Sequence, residues 1–150
     1  MWKFTYEETI DAQPERVFHL ISDFSISASW NPFVISASGP AELGGVIRGT
    51  VKMGMFKIPF RHKIFEYVHD KSVCWRDFGL IALLFYCGQR CRYVEARGDR
   101  VHYKCVLQVS GPLSGLARLI VGRALRNGII AETRALKYEA ENGAANLPDA

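Results

Sequence analysis

Residues 2–10 alternate between apolar and polar positions. Trp2, Phe4, Tyr6 and Ile10 fall on one side, with Glu8 the exception among them; Lys3, Thr5, Glu7 and Thr9 fall on the other. A period of two marks a strand with one buried face. The pattern then turns helical. Ala12-Gln13-Pro14-Glu15 opens a helix, with proline in the first turn, where a missing N–H costs nothing, and Glu15 at the positive end of the helix dipole. Val17, Phe18, Leu20 and Ile21 form its apolar stripe, and it stops near Asp23. A second short helix, capped by Ser25 or Ser27, ends near Trp30, because Asn31 precedes Pro32 and is driven out of helical geometry.

From Phe33 onward the pattern predicts strands over 33–37, 46–53, 58–67, 72–77, 83–96 and 100–109. Gly39-Pro40, Gly44-Gly45 and Gly98-Asp99 supply turns. Ser110-Gly111-Pro112 breaks the run, and a long helix follows from about Leu113 to Glu141. The order is strand, two short helices, six strands, long helix. It predicts an α+β architecture: a curved antiparallel sheet of about seven strands around the C-terminal helix. Residues 1–142 read as one domain and residues 143–150, small and polar, as a flexible tail.

On the long helix, Leu113, Leu116, Ala117, Ile120, Ala124, Gly128, Ala131 and Ala135 share one arc at 100° per residue. Its small residues either let the helix pack closely on the sheet or leave room for a ligand. The opposite face carries Arg123, Arg126, Arg134 and Lys137, suited to water or to anionic lipid headgroups.

Arg90 and Arg92 pose the sharpest question. Apolarity alone favours the Phe85, Cys87, Gln89, Cys91, Tyr93 face of their strand as the inner one. A two-residue turn at Gly98-Asp99 argues the reverse. It pairs Arg97 with Arg100, hence Arg92 with Cys105 and Arg90 with Leu107, and directly paired residues share a face. A three-residue loop or a bulge would flip the result. An inward Arg90 needs an anionic partner, either Glu8 or a ligand carboxylate or phosphate.

Other chemistry is sparse. His62 alternates with Phe60 and Ile64, so it either faces the interior as an acid/base group or is a satisfied or exposed histidine. No histidine has metal-ligand spacing, and no phosphate loop, nucleophile elbow or zinc-protease motif occurs. No cofactor, metal or catalytic residue is assigned. Cys74, Cys87, Cys91 and Cys105 all lie in strand-like segments. Four residues of strand hold Cys87 and Cys91 about 13 Å apart, too far for a disulfide, so the four read as small buried thiols. The balance of 19 basic and 15 acidic residues, net +4, permits an anionic ligand or acidic surface without requiring one. Nothing suggests nucleic acid as a partner. The N-terminus lacks a signal peptide's apolar core, and the run 80–87 is far short of a membrane span, so a cytoplasmic protein is expected.

Several stretches together resemble one family. These are "IDAQPERVFHLISDF", "SWNPFV", "KSVCWRD", "YCGQRCRYVEARGDRV", "SGPLSG" and "AETRALKYEAE". In pattern and order they resemble the START-like superfamily, also known as the Bet v 1-like or polyketide cyclase/dehydrase type, over residues 4–141. The resemblance implies the helix-grip fold, with two short helices clasping the sheet and a cavity between sheet and long helix. It aligns the Arg90 face with the cavity. Trp30 and Phe33 would then form a rim or gate; that Trp30 plugs the end of the core is a second reading, compatible with the first. The lining expected is Trp30, Phe33, Phe60, His62, Trp75, Tyr103, Cys105, Leu116 and Ile120, with Arg90 or His62 orienting the ligand. The expected function is binding of a small hydrophobic or amphipathic ligand: a lipid, isoprenoid, polyketide or aromatic acid. A cyclase/aromatase-type enzyme and an interaction module using the basic surface, including peripheral membrane contact, stay open. The oligomeric state is not specified.

Overall fold

The computed structural model describes residues 1–143. The expected tail beyond Gly143 lies outside the described residues. Strand β1 (Trp2–Ile10) is followed by α1 (Pro14–Ser22), a 3-10 turn (Phe24–Ile26) and α2 (Ser27–Trp30). Then come β2 (Val34–Ser38), β3 (Val46–Met53), β4 (Phe56–Val68) and β5 (Ser72–Asp77). A short helix α3 (Leu80–Leu84), the hairpin β6 (Cys87–Arg97) and β7 (Arg100–Ser110), and the helix α4 (Ser114–Asn142) complete the order. The seven strands form one antiparallel sheet in the order β1-β7-β6-β5-β4-β3-β2.

Two local departures from the pattern have clear causes. The strand expected from Leu83 begins at Cys87, and Leu80–Leu84 coil instead. Strand β7 leaves the sheet at Gly111, whose φ of 103° only glycine adopts cheaply, so residues 83–86 have no strand to pair with. The cap before α2 also differs. Neither Ser25 nor Ser27 caps α2, which has no side-chain cap; Asp23 caps the 3-10 turn before it, accepting the Ser25 N–H at 3.1 Å.

The cysteines require a correction. Cys74 and Cys91 are joined by a disulfide, while Cys87 and Cys105 are free. Spacing along the chain says nothing about this pair. The β5–β6 register sets Cys74 directly opposite Cys91, with Cα atoms 4.1 Å apart. Disulfides persist mainly in oxidising compartments, which a reading of all four as thiols in a cytoplasmic chain does not anticipate. Among the described residues, no helix is long and apolar enough to cross a membrane.

Helix α4 is tied down at both ends by the first elements of the chain. The Trp2 indole N–H donates to Ser114 O at 3.0 Å. At the far end, Arg16 donates from Nε to Ala140 O at 2.7 Å and from Nη2 to Glu139 O at 2.9 Å. A guanidinium there satisfies the Ala140 carbonyl, one of the last four, shares the Glu139 carbonyl with the Gly143 N–H, and complements the negative end of the dipole. Arg16→Met should therefore destabilise the fold by about 1–3 kcal/mol, read as a lower urea midpoint with an unchanged slope. An unchanged midpoint would show that these bonds contribute nothing net.

Candidate functional site

The Gly98-Asp99 turn has two residues, Gly98 at φ 63°, and Arg97 pairs with Arg100. The register that follows sets Arg92 opposite Cys105 and Arg90 opposite Leu107. Both arginines consequently point inward with Leu107, toward α4. One row crosses five strands on this face: Phe4, Leu107, Arg90, Trp75 and Ile64.

The partner of the arginines is Glu132 of α4, not Glu8. Its side chain is 1% exposed. Arg90 Nη2 donates to Glu132 Oε2 at 2.7 Å, and Arg92 Nη2 donates to Glu132 Oε1. Arg92 Nη1 also donates to Ile21 O at 3.0 Å, and Arg90 Nε contacts Cys105 Sγ at 3.3 Å. Both guanidiniums lie over the Trp75 ring, at 5.8 Å for Arg90 and 4.8 Å for Arg92. Burial alone would raise the Glu132 carboxyl's pKa, but Arg90 and Arg92 outweigh it and hold the group below its ordinary value. Burial pushes the neighbouring Tyr103 hydroxyl well above its ordinary value, so it stays neutral. Two guanidiniums and one carboxylate leave a net charge of +1 in this buried cluster. Among the described residues, no hydrogen bond uses Arg90 Nη1.

A cavity of about 400 Å³ lies between the sheet and α4. Its walls are mainly apolar: Phe24, Ile47, Trp75, Val109, Leu125 and Ile129 among them. It reaches the surface beside Ile58, Ile81 and Tyr86, which line it and are themselves partly exposed. A second polar group sits on its wall. His62 Nδ1 is 2.8 Å from Asp77 Oδ1, close enough for an ion pair but not aimed as a directional hydrogen bond. Asp77 Oδ2 accepts the Gly88 N–H at 2.9 Å, which anchors the carboxylate, and the imidazole stacks on Phe60 at 4.8 Å.

Of the residues expected on the wall, the structure brings together Phe33, Phe60, His62, Trp75 and Arg90. Phe33 reaches α4 because Gly128 has no side chain; a Cβ there would lie 2.6 Å from the Phe33 ring. Five expectations need correcting. Trp30 is not on the wall; it is 8% exposed inside the core cluster. Tyr103 and Cys105 face inward but are wholly buried behind the wall. Leu116 and Ile120 point outward, at 52% and 70% exposure. The inner stripe of α4 is Ala117, Val121, Leu125 and Ile129; Ala117 belongs to the arc read from the sequence, and the other three lie one position after its Ile120, Ala124 and Gly128. The N-terminal half of α4 is apolar on both sides, so periodicity alone did not identify the inner one.

Glu132 and Asp77 were missed. The signal for Glu132 was present: it lies three residues after Ile129 and four before Leu136, on their face of the helix. Asp77 alternates with Trp75 and pairs with His62, but a bulge between Ile64 and Glu66 conceals that register in the sequence.

Residues 1–141 match a family model described as polyketide cyclase/dehydrase and lipid transport. Solved structures share the fold at low identity. The Zhui aromatase/cyclase from Streptomyces sp. R1128 is 13% identical, with TM-score 0.80 and 99% of each chain covered. A START superfamily protein from Mycobacterium smegmatis is 14% identical, with TM-score 0.72, covering 92% of this chain and 96% of that one. Ginseng major latex-like protein 151 from Panax ginseng is 14% identical, with TM-score 0.67, covering 93% and 97%. No curated protein is significantly similar in sequence.

Removing one partner of a buried ion pair leaves an uncompensated charge. Glu132→Gln should cost about 3–5 kcal/mol, seen in chemical denaturation. The carboxyl is depressed in the folded state, so its contribution is complete above the ordinary pKa of 4.5 and is lost as pH falls through the lower folded value. Wild type should thus lose stability on acidification below that point more steeply than Glu132→Gln. Parallel pH profiles would show that the clamp is not the source.

Proposed function

We propose that this chain, which belongs to the polyketide cyclase/dehydrase and lipid transport family, binds one small amphipathic molecule in the cavity between α4 and the sheet. Its apolar body lies against the apolar walls, and an anionic or carbonyl oxygen faces Arg90. The carrying observation is the surplus positive charge of the Arg90–Arg92–Glu132 cluster at a cavity whose walls are mainly apolar. Desolvation of the ligand body supplies most of the affinity, at roughly 25 cal/mol per Å² before ordering costs. A charge-assisted hydrogen bond sets orientation.

Calorimetry with sodium decanoate and 1-decanol at pH 7.5 tests this reading. Wild type should prefer decanoate by about tenfold or more, equivalent to roughly 1.4 kcal/mol. Arg90→Gln, still folded by circular dichroism, should lose the preference. Equal binding of both probes by wild type would overturn the assignment of Arg90. Mass spectrometry of small molecules released on denaturation would identify the native ligand class.

A second reading has its own support. His62 on the wall, beside an anchored Asp77, is placed to move a proton on a bound molecule. A cyclase-type enzyme would use it as general base. Wild type should then convert a linear poly-β-ketone thioester into a cyclised product that His62→Ala does not form. No product from wild type would remove this reading.

A further inference from the structure

The outer stripe of α4 belongs to a larger surface. Most of the exposed large hydrophobic residues among those described lie in three segments. These are the β3–β4 hairpin tip (Met55, Phe56), α3 (Leu80, Leu83) and the first turns of α4 (Leu119, Ile120). All three segments surround the cavity's opening: Met53 and Ile58 flank the hairpin tip on the wall, Ile81 and Ala82 line it from α3, and Ala117 and Val121 line it from α4. Helix α3 and the start of α4 are joined directly, with the Leu113 N–H donating to Phe85 O at 3.0 Å. Contiguous apolar surface of this kind marks an interaction site.

The charge carried by these three segments has one sign. No Asp or Glu occurs in residues 43–65, 78–94 or 100–131, which include all three segments. Exposed cations flank the apolar tips: Lys52, Lys57 and Arg61 on β3 and β4, and Arg118 and Arg123 on α4. Beside the α4 end, a groove between β1 and α4 is lined by Lys3, Arg118, Arg123 and Arg126, with Arg126 held 5.0 Å over the Phe4 ring. A second copy of the chain would set cation against cation. The apolar tips also protrude, Met55 at 97% exposure and Leu119 at 83%, which suits a fluid apolar phase better than the shaped pocket of a folded partner.

We infer that this end of the molecule docks on an anionic lipid bilayer. The tips of the hairpin, α3 and α4 enter the headgroup–acyl boundary, and Lys57, Arg61, Arg118, Arg123 and Arg126 contact lipid phosphates. The surface does not depend on what the cavity holds, so its failure and that of the ligand-binding reading are separately visible.

The test is co-sedimentation with vesicles of phosphatidylcholine alone and of phosphatidylcholine with 30% phosphatidylglycerol. Binding should appear on the anionic vesicles and weaken with added salt. Arg118→Ala with Arg123→Ala should weaken it by about fivefold per charge. Leu119→Glu with Ile120→Glu should weaken it by more than tenfold. All four positions are exposed, so the variants should keep the wild-type melting temperature and decanoate affinity. Absence of binding to anionic vesicles would overturn the proposal. So would binding that needs the arginines but not Leu119 and Ile120, which would mark the surface as one for an acidic protein. A concentration-dependent dimer abolished by Leu119→Glu would assign the surface to self-association and overturn it equally.

Discussion

One buried carboxylate, Glu132, sets the relation between helix and sheet. It is held by Arg90 and Arg92 from neighbouring inward positions on β6. Such a clamp is weak evidence for net stability, since desolvation of three charges opposes the attraction. Its effect is positional. With α4 packed against the sheet, a guanidinium pair can be satisfied only where the carboxylate arrives, which fixes the rotation of α4 about its axis. That rotation turns Ala117, Val121, Leu125 and Ile129 toward the sheet and leaves Leu116, Leu119 and Ile120 outside.

The cavity follows from the same placement. A helix carrying alanine, valine and a glycine along its inner side does not fill the hollow of a strongly curved sheet. Tight contact is made at particular points instead, such as Phe33 against Gly128 and Trp2 at the start of α4. The remaining volume is mainly apolar, and two polar stations on its wall stand out. At the Arg90 cluster the carboxylate accepts from both guanidiniums and one positive charge is left over. At His62, the Asp77 partner is itself held by a backbone N–H. The first arrangement suits orienting a ligand and the second suits moving a proton, so one cavity is compatible with both activities named in its family description.

The opening of the cavity unites two features that sequence patterning had kept apart. The apolar arc of α4 and its basic positions looked like inner and outer faces. In the folded chain, Leu119 and Ile120 join Arg118 and Arg123 on one exposed surface. Some residues read as part of a solvated basic face have local work: Lys137 pairs with Glu141 at 2.9 Å.

The order of the strands and of α1, α2 and α4, the strand and helix periods, and the two-residue turn that made an inward Arg90 one of two open readings were legible in the sequence; α3 was not. They rest on local rules: alternation, proline and glycine geometry, and a two-residue turn that counts pairs outward from itself. Tertiary structure alone decided the rest. The Glu132 clamp, the His62–Asp77 contact and the Cys74–Cys91 bond join residues 40 or 42, 15 and 17 positions apart, through strand registers and a helix rotation. A bulge in β4 conceals the His62–Asp77 register, and nothing local marks the β5–β6 register that sets Cys74 opposite Cys91. Trp30 shows the same limit: its size and setting beside Asn31-Pro32 fit the cavity wall or the core equally, and only the packing around it places it in the core.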